Sequence, residues 1–305
     1  MISNQPPVSA LWQQLAAEIL SDIKRMTFMN ARITQAQRLA KLVEAFKEDS
    51  GQYAKVKTPE DCEGRKRLLR SLMNIRQPGD MPAEVLQLQD EYLKARAEEK
   101  GIVTLKDIPL REKGLSFWQG DITRLAVDAI VNAANSQMLG CFVPLHACID
   151  NCIHTFAGIQ LRNECYRQMQ ELRQRYGEDY EQPTAVPMLT DGYNLPAKKV
   201  IHIVGPIVSG KLTPELENAL ADCYTNSLTM CMENGLRSVA FCCISTGVFH
   251  FPQERAAQIA FSSVKQWLAA HGGVIDRVIF NVFTDEDRDI YEKIFQQQGR
   301  KHQQA

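Results

Sequence analysis

The chain reads as an α/β protein: a mostly parallel sheet covered by helices on both faces, with a helical extension in front of it. Two observations predict this. Beyond about residue 100, short apolar runs rich in β-branched and aromatic residues recur: GLSFW (114–118), AIVNA (129–133), TAVPM (184–188), KVIHIV (199–204), SVAFCCI (238–244) and RVIFNVF (277–283). Helical stretches separate most of them, and continuous apolar runs alternating with helices mark strands buried on both faces. Before residue 100 the text is highly charged and helical instead.

Composition sets the bounds. The 305 residues suffice for one large domain plus an extension, and 45% hydrophobic residues supply a sizeable core. A net charge of −1 argues against a non-specific grip on nucleic acid. It leaves room for a small anionic ligand, because a loop at a helix start holds phosphate without a basic surface. MISNQPPVSALWQQL lacks a basic segment followed by an apolar core, so a secretory signal is not expected there. No apolar run approaches a membrane span, and no membrane contact is expected. Nine cysteines, an odd number, read as reduced thiols of a cytoplasmic protein, some free to bind metal.

In chain order, LWQQLAAEILSDI sets Leu11, Leu15, Ile19 and Ile23 at helical spacing. ITQAQRLAKLVEAF and GRKRLLRSLMNI read the same way. The Gln77–Asp80 break, Gln-Pro-Gly-Asp, precedes AEVLQLQDEYLKARAEEK. A solvated helix face accounts for the charge run Arg65, Lys66, Arg67 and Arg70. After the first strands come a helix following His146, then TPELENALADCYTNSLTMCMEN, PQERAAQIAFSSVKQWLAA and EDRDIYEKIFQQQ. Thr213 and Pro214 form a good helix start, and Gly235 a plausible stop. The expected units are an extension over 1–100, a main domain over 101–298 and a polar, frayed tail over 299–305.

Ligands of an open α/β sheet bind in the crevice outside the carboxyl ends of its strands. GDI after GLSFW, NAAN after AIV, and STGVFHF after SVAFCCI all fall there. The backbone N–H groups of Ser245-Thr246-Gly247-Val248-Phe249, ahead of a helix near Pro252, suit a phosphate; an ordinary β-to-α turn is the bland reading. Asp121 either accepts from an exocyclic amine or caps a turn. Phe283 either stacks on a nucleobase or belongs to the core. Asn132 and Asn135 are amides suited to a hydroxyl-rich ligand or to bracing their own loop. Cys141, His146 and Cys148 offer two thiolates and an imidazole, a set suited to zinc, and three protein ligands leave a fourth position open as in catalytic sites. Cys152 reads as core. If a helix begins near Pro144, then His146, Asp150 and His154 share one face, with Asp150 in the chemistry or merely favouring the helix start. His154 and His202 read as structural.

GDIT, VDAIVNAAN and IHTFAG resemble the macrodomain family, which binds ADP-ribose, and CFVPLHACIDN resembles the insert of zinc-containing macrodomains, which remove ADP-ribose from proteins. The motifs span roughly the last two thirds of the chain. The resemblance implies a macrodomain-like three-layer α/β/α sandwich with a mixed, mostly parallel sheet. It implies that Asp121 recognises the adenine amine with the Ile122 backbone beside it, and that residues 245–249 hold the diphosphate with Phe249 lining the distal ribose pocket. Asn135 would meet the distal ribose and Asn132 brace the loop or join it. Asp150 aligns with the family's acidic residue before the IHxxAG segment, and His250 stands where many members have glycine. The implied activity is zinc-dependent hydrolysis of mono-ADP-ribose from protein side chains, cleaving at the distal ribose anomeric carbon, with one Zn2+ per chain and catalysis by Asp150 and Asn135. The implied partners are ADP-ribose and mono-ADP-ribosylated protein, with a lipoyl carrier protein and a sirtuin-type transferase by family association. A reader module with structural zinc and an O-acyl-ADP-ribose deacylase are the rival readings. The extension is then either a helical cap or a docking surface for a protein substrate.

Overall fold

The computed structural model describes residues 33–303, beginning with α1 (Gln35–Ser50), α2 (Cys62–Ile75) and α3 (Ala83–Lys100). The helix expected over LWQQLAAEILSDI lies outside the described residues. Thr34 and Gln37 form a capping box at α1, and Asp61 Oδ1 accepts from Gly64 N at α2 (2.7 Å), so side chains satisfy the first free amides of both helices. Leu42, Val43 and Phe46 close on Leu69, Leu72, Met73, Tyr92 and Leu93 in a small core, and Ile159 enters it from later in the chain.

The strands are β1 (Val103–Thr104), β2 (Leu115–Gln119), β3 (Leu125–Ala126), β4 (Ala129–Ala134), β5 (Met188–Asp191), β6 (Lys199–Val204), β7 (Ser238–Phe241) and β8 (Arg277–Val282). The main sheet has six strands in the order β2-β8-β7-β4-β6-β5, all parallel except the β5 edge; β1 and β3 pair separately. The helices along it are α4 (Ile149–Ala157), α5 (Ile159–Tyr176), α6 (Pro214–Glu233), α7 (Gln253–Ala270) and α8 (Asp285–Gln303). Ile130, Val131, Val200, Ile201, Val239, Ala240, Val278 and Ile279 are each 0% exposed, which is why these strands read as unbroken apolar runs.

Three elements depart from expectation. The TAVPM run becomes a strand only at Met188, because Ala185 turns through a positive φ of 61° and Pro187 has no N–H to give a ladder. The helix after the cysteine loop starts at Ile149, not near Pro144, and Gly158 (φ 98°) separates α4 from α5. His146 therefore lies in the loop, off the helix face that carries Asp150 and His154. At the other end, the backbone of α8 stays helical through Gln303, past the point where the tail was expected. Among the described residues, no helix is long and apolar enough to cross a membrane.

Candidate active site

Parallel pairing brings the carboxyl ends of β2, β8, β7, β4 and β6 to one edge, and the sequence-predicted segments leave the sheet there. Hydrogen bonds tie two of them to neighbouring parts of the chain. Gly120 N donates to Val282 O (2.9 Å), Asn281 Nδ2 to Gly120 O (3.0 Å), and Val208 N to Phe249 O (2.9 Å).

Asp121 starts a single 3-10 turn, Ile122–Arg124, directly after β2. Its Oδ1 accepts from Thr123 N (2.9 Å) and Thr123 Oγ1 (2.6 Å), and its Oδ2 lies 2.5 Å from Lys100 Nζ. Burial alone raises this carboxyl, but Lys100 and Thr123 outweigh it and hold the pKa below the ordinary carboxylate value. Ile122 is buried beneath the turn. Phe283, just past β8, is 74% exposed, so its ring is not part of the core.

At the loop after β7, Ser245 has φ 65° and His250 φ 57°, a backbone that L-residues avoid. The bend turns residues 246–249 outward; Val248 is 68% exposed. Ser245 Oγ is buried without a hydrogen-bond partner among the described residues. Gly205 makes the close approach feasible: a Cβ there would stand 2.1 Å from that oxygen.

Beside it, Asn135 shapes its own loop. Its Nδ2 donates to Gly140 O (3.2 Å) and its Oδ1 accepts from Gln137 N (3.0 Å), leaving one N–H and one lone pair for a ligand. The loop then brings together Cys141, His146 and Cys148, whose ligand atoms all lie within 4.8 Å of one another. Cys141 Sγ stands 3.5 Å from His146 Nδ1. Cys148 caps α4, accepting from Asn151 N at 3.4 Å. Burial, with Cys141 alongside, pushes the Cys148 thiol up to about 12. Two sulfurs with one nitrogen fit zinc. Cys152 stays outside this group and outside the core: it is half-buried, with Arg70 Nη2 at 3.5 Å from its sulfur.

Asp150 and Asn132 lie under the loop. Asp150 is 5% exposed, and burial pushes its carboxyl up to about 6. Asn132, expected to brace its loop or join the ligand contacts, is wholly enclosed at 0%, away from any ligand: its Nδ2 donates to Asp150 Oδ1 (2.8 Å) and stands 3.1 Å from His202 Nδ1. His202 Nε2 faces Thr190 Oγ1 at 3.0 Å. His154, Cys165 and His202 also converge, all buried. Both ring nitrogens of His202 are already partnered, whereas both ring nitrogens of His154 are buried without a hydrogen-bond partner among the described residues.

Sequence reasoning missed the residues that hold the cysteine loop. Arg70, read as part of a solvated face, turns inward: its Nη2 donates to His146 O and Asn151 Oδ1, both at 2.8 Å. Asn151 Nδ2 in turn donates to Val143 O (2.9 Å) and Cys141 O (3.3 Å). Asn74 Oδ1 accepts from Leu145 N (3.0 Å), fixing a residue with φ 60°. Arg162 Nε reaches Leu139 O (2.8 Å), and its guanidinium lies over Phe142, 4.2 Å from the ring centroid.

Comparison with known proteins agrees with this fold. The family described as Macro domain matches residues 131–260. A protein-ADP-ribose hydrolase of Treponema medium is 47% identical over 266 residues, 86% of this chain and 99% of that one. One from Staphylococcus aureus is 39% identical over 260 residues, 85% of this chain and 95% of its own length. Among solved structures, a Trypanosoma brucei macrodomain in complex with ADP-ribose superposes with a TM-score of 0.55 at 30% identity, covering 74% of this chain and 94% of that one.

Proposed function

The chain belongs to the macrodomain family, and from that membership we propose that it hydrolyses mono-ADP-ribose from modified protein side chains in a zinc-dependent reaction. The bond cleaved joins the anomeric carbon of the distal ribose to its acceptor. The single observation that carries the metal-dependent reading is the meeting of Cys141, His146 and Cys148 beside the Asn135–Gly140 loop, at the carboxyl edge of the sheet. The names of the relatives, protein-ADP-ribose hydrolases, support the same chemistry.

Each residue has a part in this reading. Asp121 accepts from the adenine amine, the Ile122 backbone lies beside it, and Phe283 stacks on the base. The backbone N–H groups from Ser245 to Phe249 receive the diphosphate, an anion matched to a loop that leads into α7. Asn135 offers its free N–H and lone pair to the distal ribose. Asn132 holds Asp150 in place, and Asp150, two residues past Cys148, takes part in the chemistry. Cys141, His146 and Cys148 would hold the zinc. When bound there, zinc supplies Lewis acidity toward a substrate oxygen or lowers the pKa of a bound water.

The test uses full-length protein and a mono-ADP-ribosylated carrier, such as a lipoyl carrier protein modified by a sirtuin-type transferase, with released ADP-ribose as the readout. Native protein is expected to contain about one zinc per chain, as a three-ligand mononuclear site requires. Chelation or Cys148→Ala should stop release while calorimetric binding of free ADP-ribose persists. Full release by a verified zinc-free, folded protein would falsify the catalytic role of zinc. Binding and release lost together at unchanged melting temperature would point to a loop-shaping metal.

A further inference from the structure

The nucleotide end of the crevice is completed by a residue from outside the sheet domain. Lys100 is the last residue of α3, and its side chain is 19% exposed. Its ammonium faces Asp121 Oδ2 at 2.5 Å, donates to Thr123 Oγ1 at 2.8 Å, and lies over the Phe156 ring at 3.5 Å from the centroid. Three N–H groups therefore meet a carboxylate, a hydroxyl and an aromatic face. Thr123 Oγ1, accepting from Lys100, donates its own hydrogen to Asp121 Oδ1 at 2.6 Å. The three side chains thus form a closed triangle with every donor direction fixed. The end of α3 is pinned as well, since Arg124 Nε donates to Gly101 O at 2.7 Å.

The acceptor count of Asp121 is informative. An ionised carboxylate has about four lone-pair sites. Thr123 N and Oγ1 occupy two on Oδ1 and Lys100 one on Oδ2. One acceptor direction remains, on a side chain still 32% exposed. We propose that Lys100, supplied by the helical extension, is a positioning residue for base recognition: with Thr123 it orients Asp121 so that this last lone pair meets the exocyclic amine of adenine. The proposal rests on the reading of Asp121 as the adenine acceptor. A base with a carbonyl at that position would set oxygen against carboxylate and be refused, so the triangle is a specificity device as well as an ion pair.

The experiment measures ADP-ribose and inosine diphosphate ribose, in which a carbonyl replaces the amine, by calorimetry on full-length protein. Wild type should prefer ADP-ribose. Lys100→Met should weaken ADP-ribose about tenfold, as expected for a disturbed charge-assisted hydrogen bond, and leave the inosine ligand nearly unchanged. Lys100→Arg should recover part of the preference. Thr123→Val breaks the same triangle from the sheet side and should act likewise, which covers the case of a Lys100→Met chain that does not fold. A merely structural ion pair would move both ligands together. The proposal fails if folded Lys100→Met and Thr123→Val proteins keep the wild-type ratio while Asp121→Ala abolishes it. If Asp121→Ala also keeps the ratio, the adenine reading of Asp121 falls, and Lys100 with it.

Discussion

His250 and His202 each carry a cost that one substitution can expose. His250 is exposed, has φ 57°, and reads in the sequence as a departure from the glycine of many similar chains. A left-handed L-residue is strained by about 1–2 kcal/mol, and glycine returns part of that through its freedom in the unfolded chain. His250→Gly should therefore raise stability by about 0.5–1 kcal/mol, read as a higher urea midpoint at unchanged slope; a lower midpoint would mean that the histidine makes a compensating contact. His202 works through protons. Burial drives its pKa down from the ordinary 6.5 to about 3, and its Nδ1 accepts from Asn132, so the folded state keeps it neutral. Between those values the unfolded chain binds a proton that the folded chain refuses. The stability contributed is complete above about pH 6.5 and falls as pH drops toward 3, by about 1.4 kcal/mol per unit. His154, lowered by burial and by His202, adds in the same direction. Unfolding at pH 7 and pH 5 should differ by about 2 kcal/mol less in His202→Gln than in wild type; an equal difference would remove His202 from the acid response.

At the scale of elements, helix α2 governs the cysteine loop. Arg70 holds the carbonyl of His146 and, through Asn151, the carbonyls of Cys141 and Val143. Partners that orient a ligand loop commonly carry about 10–100-fold in metal affinity. Arg70→Met should accordingly release zinc to a competing chelator at about tenfold lower chelator concentration, with ADP-ribose affinity retained because Asp121 and the Ser245 loop are untouched. Unchanged zinc retention would return Arg70 to helix packing alone. This coupling was invisible in the sequence, and the reason is physical. Arg70 sits in a run with Arg65, Lys66 and Arg67, and nothing local distinguishes the arginine that turns inward. The strands were legible because burial on both faces writes itself as unbroken apolar runs. TAVPM misled because it is an apolar run whose backbone turns at Ala185 before the edge strand starts. The crevice residues were legible because topology sends every parallel strand end to one edge. Asn132 was legible as a brace or a ligand contact, but its partners were not, since the sequence shows its strand and not the Asp150 and His202 side chains beside it.

At the scale of the molecule, the contacts argue that the helical extension is part of the fold that builds the site, and not a separable cap. Ile159 of α5 belongs to the small helical core, and its N–H is satisfied by Gln89 Oε1 of α3 at 3.1 Å. Arg162, 5% exposed, donates to the carbonyls of Met73 (3.1 Å), Asn74 (2.9 Å) and Arg76 (2.6 Å) at the end of α2. Asn194 donates to Asp90 Oδ1 at 2.7 Å, and Asp121 leans on Lys100. Removing residues before 101 would strip each of these groups at once. The deletion also lays the apolar face around Ile159 open to water, so the sheet domain loses packing as well as polar partners. A chain starting at Gly101 is therefore expected to be insoluble or to lose its cooperative melting transition, and to bind ADP-ribose poorly where it remains in solution. Separate expression of the two pieces, followed by mixing, sharpens the test: binding should return only when the helical piece is supplied. A Gly101–Ala305 protein that melts cooperatively and binds ADP-ribose with wild-type affinity would show instead that the sheet domain closes its own crevice, and that the extension acts on something other than the nucleotide.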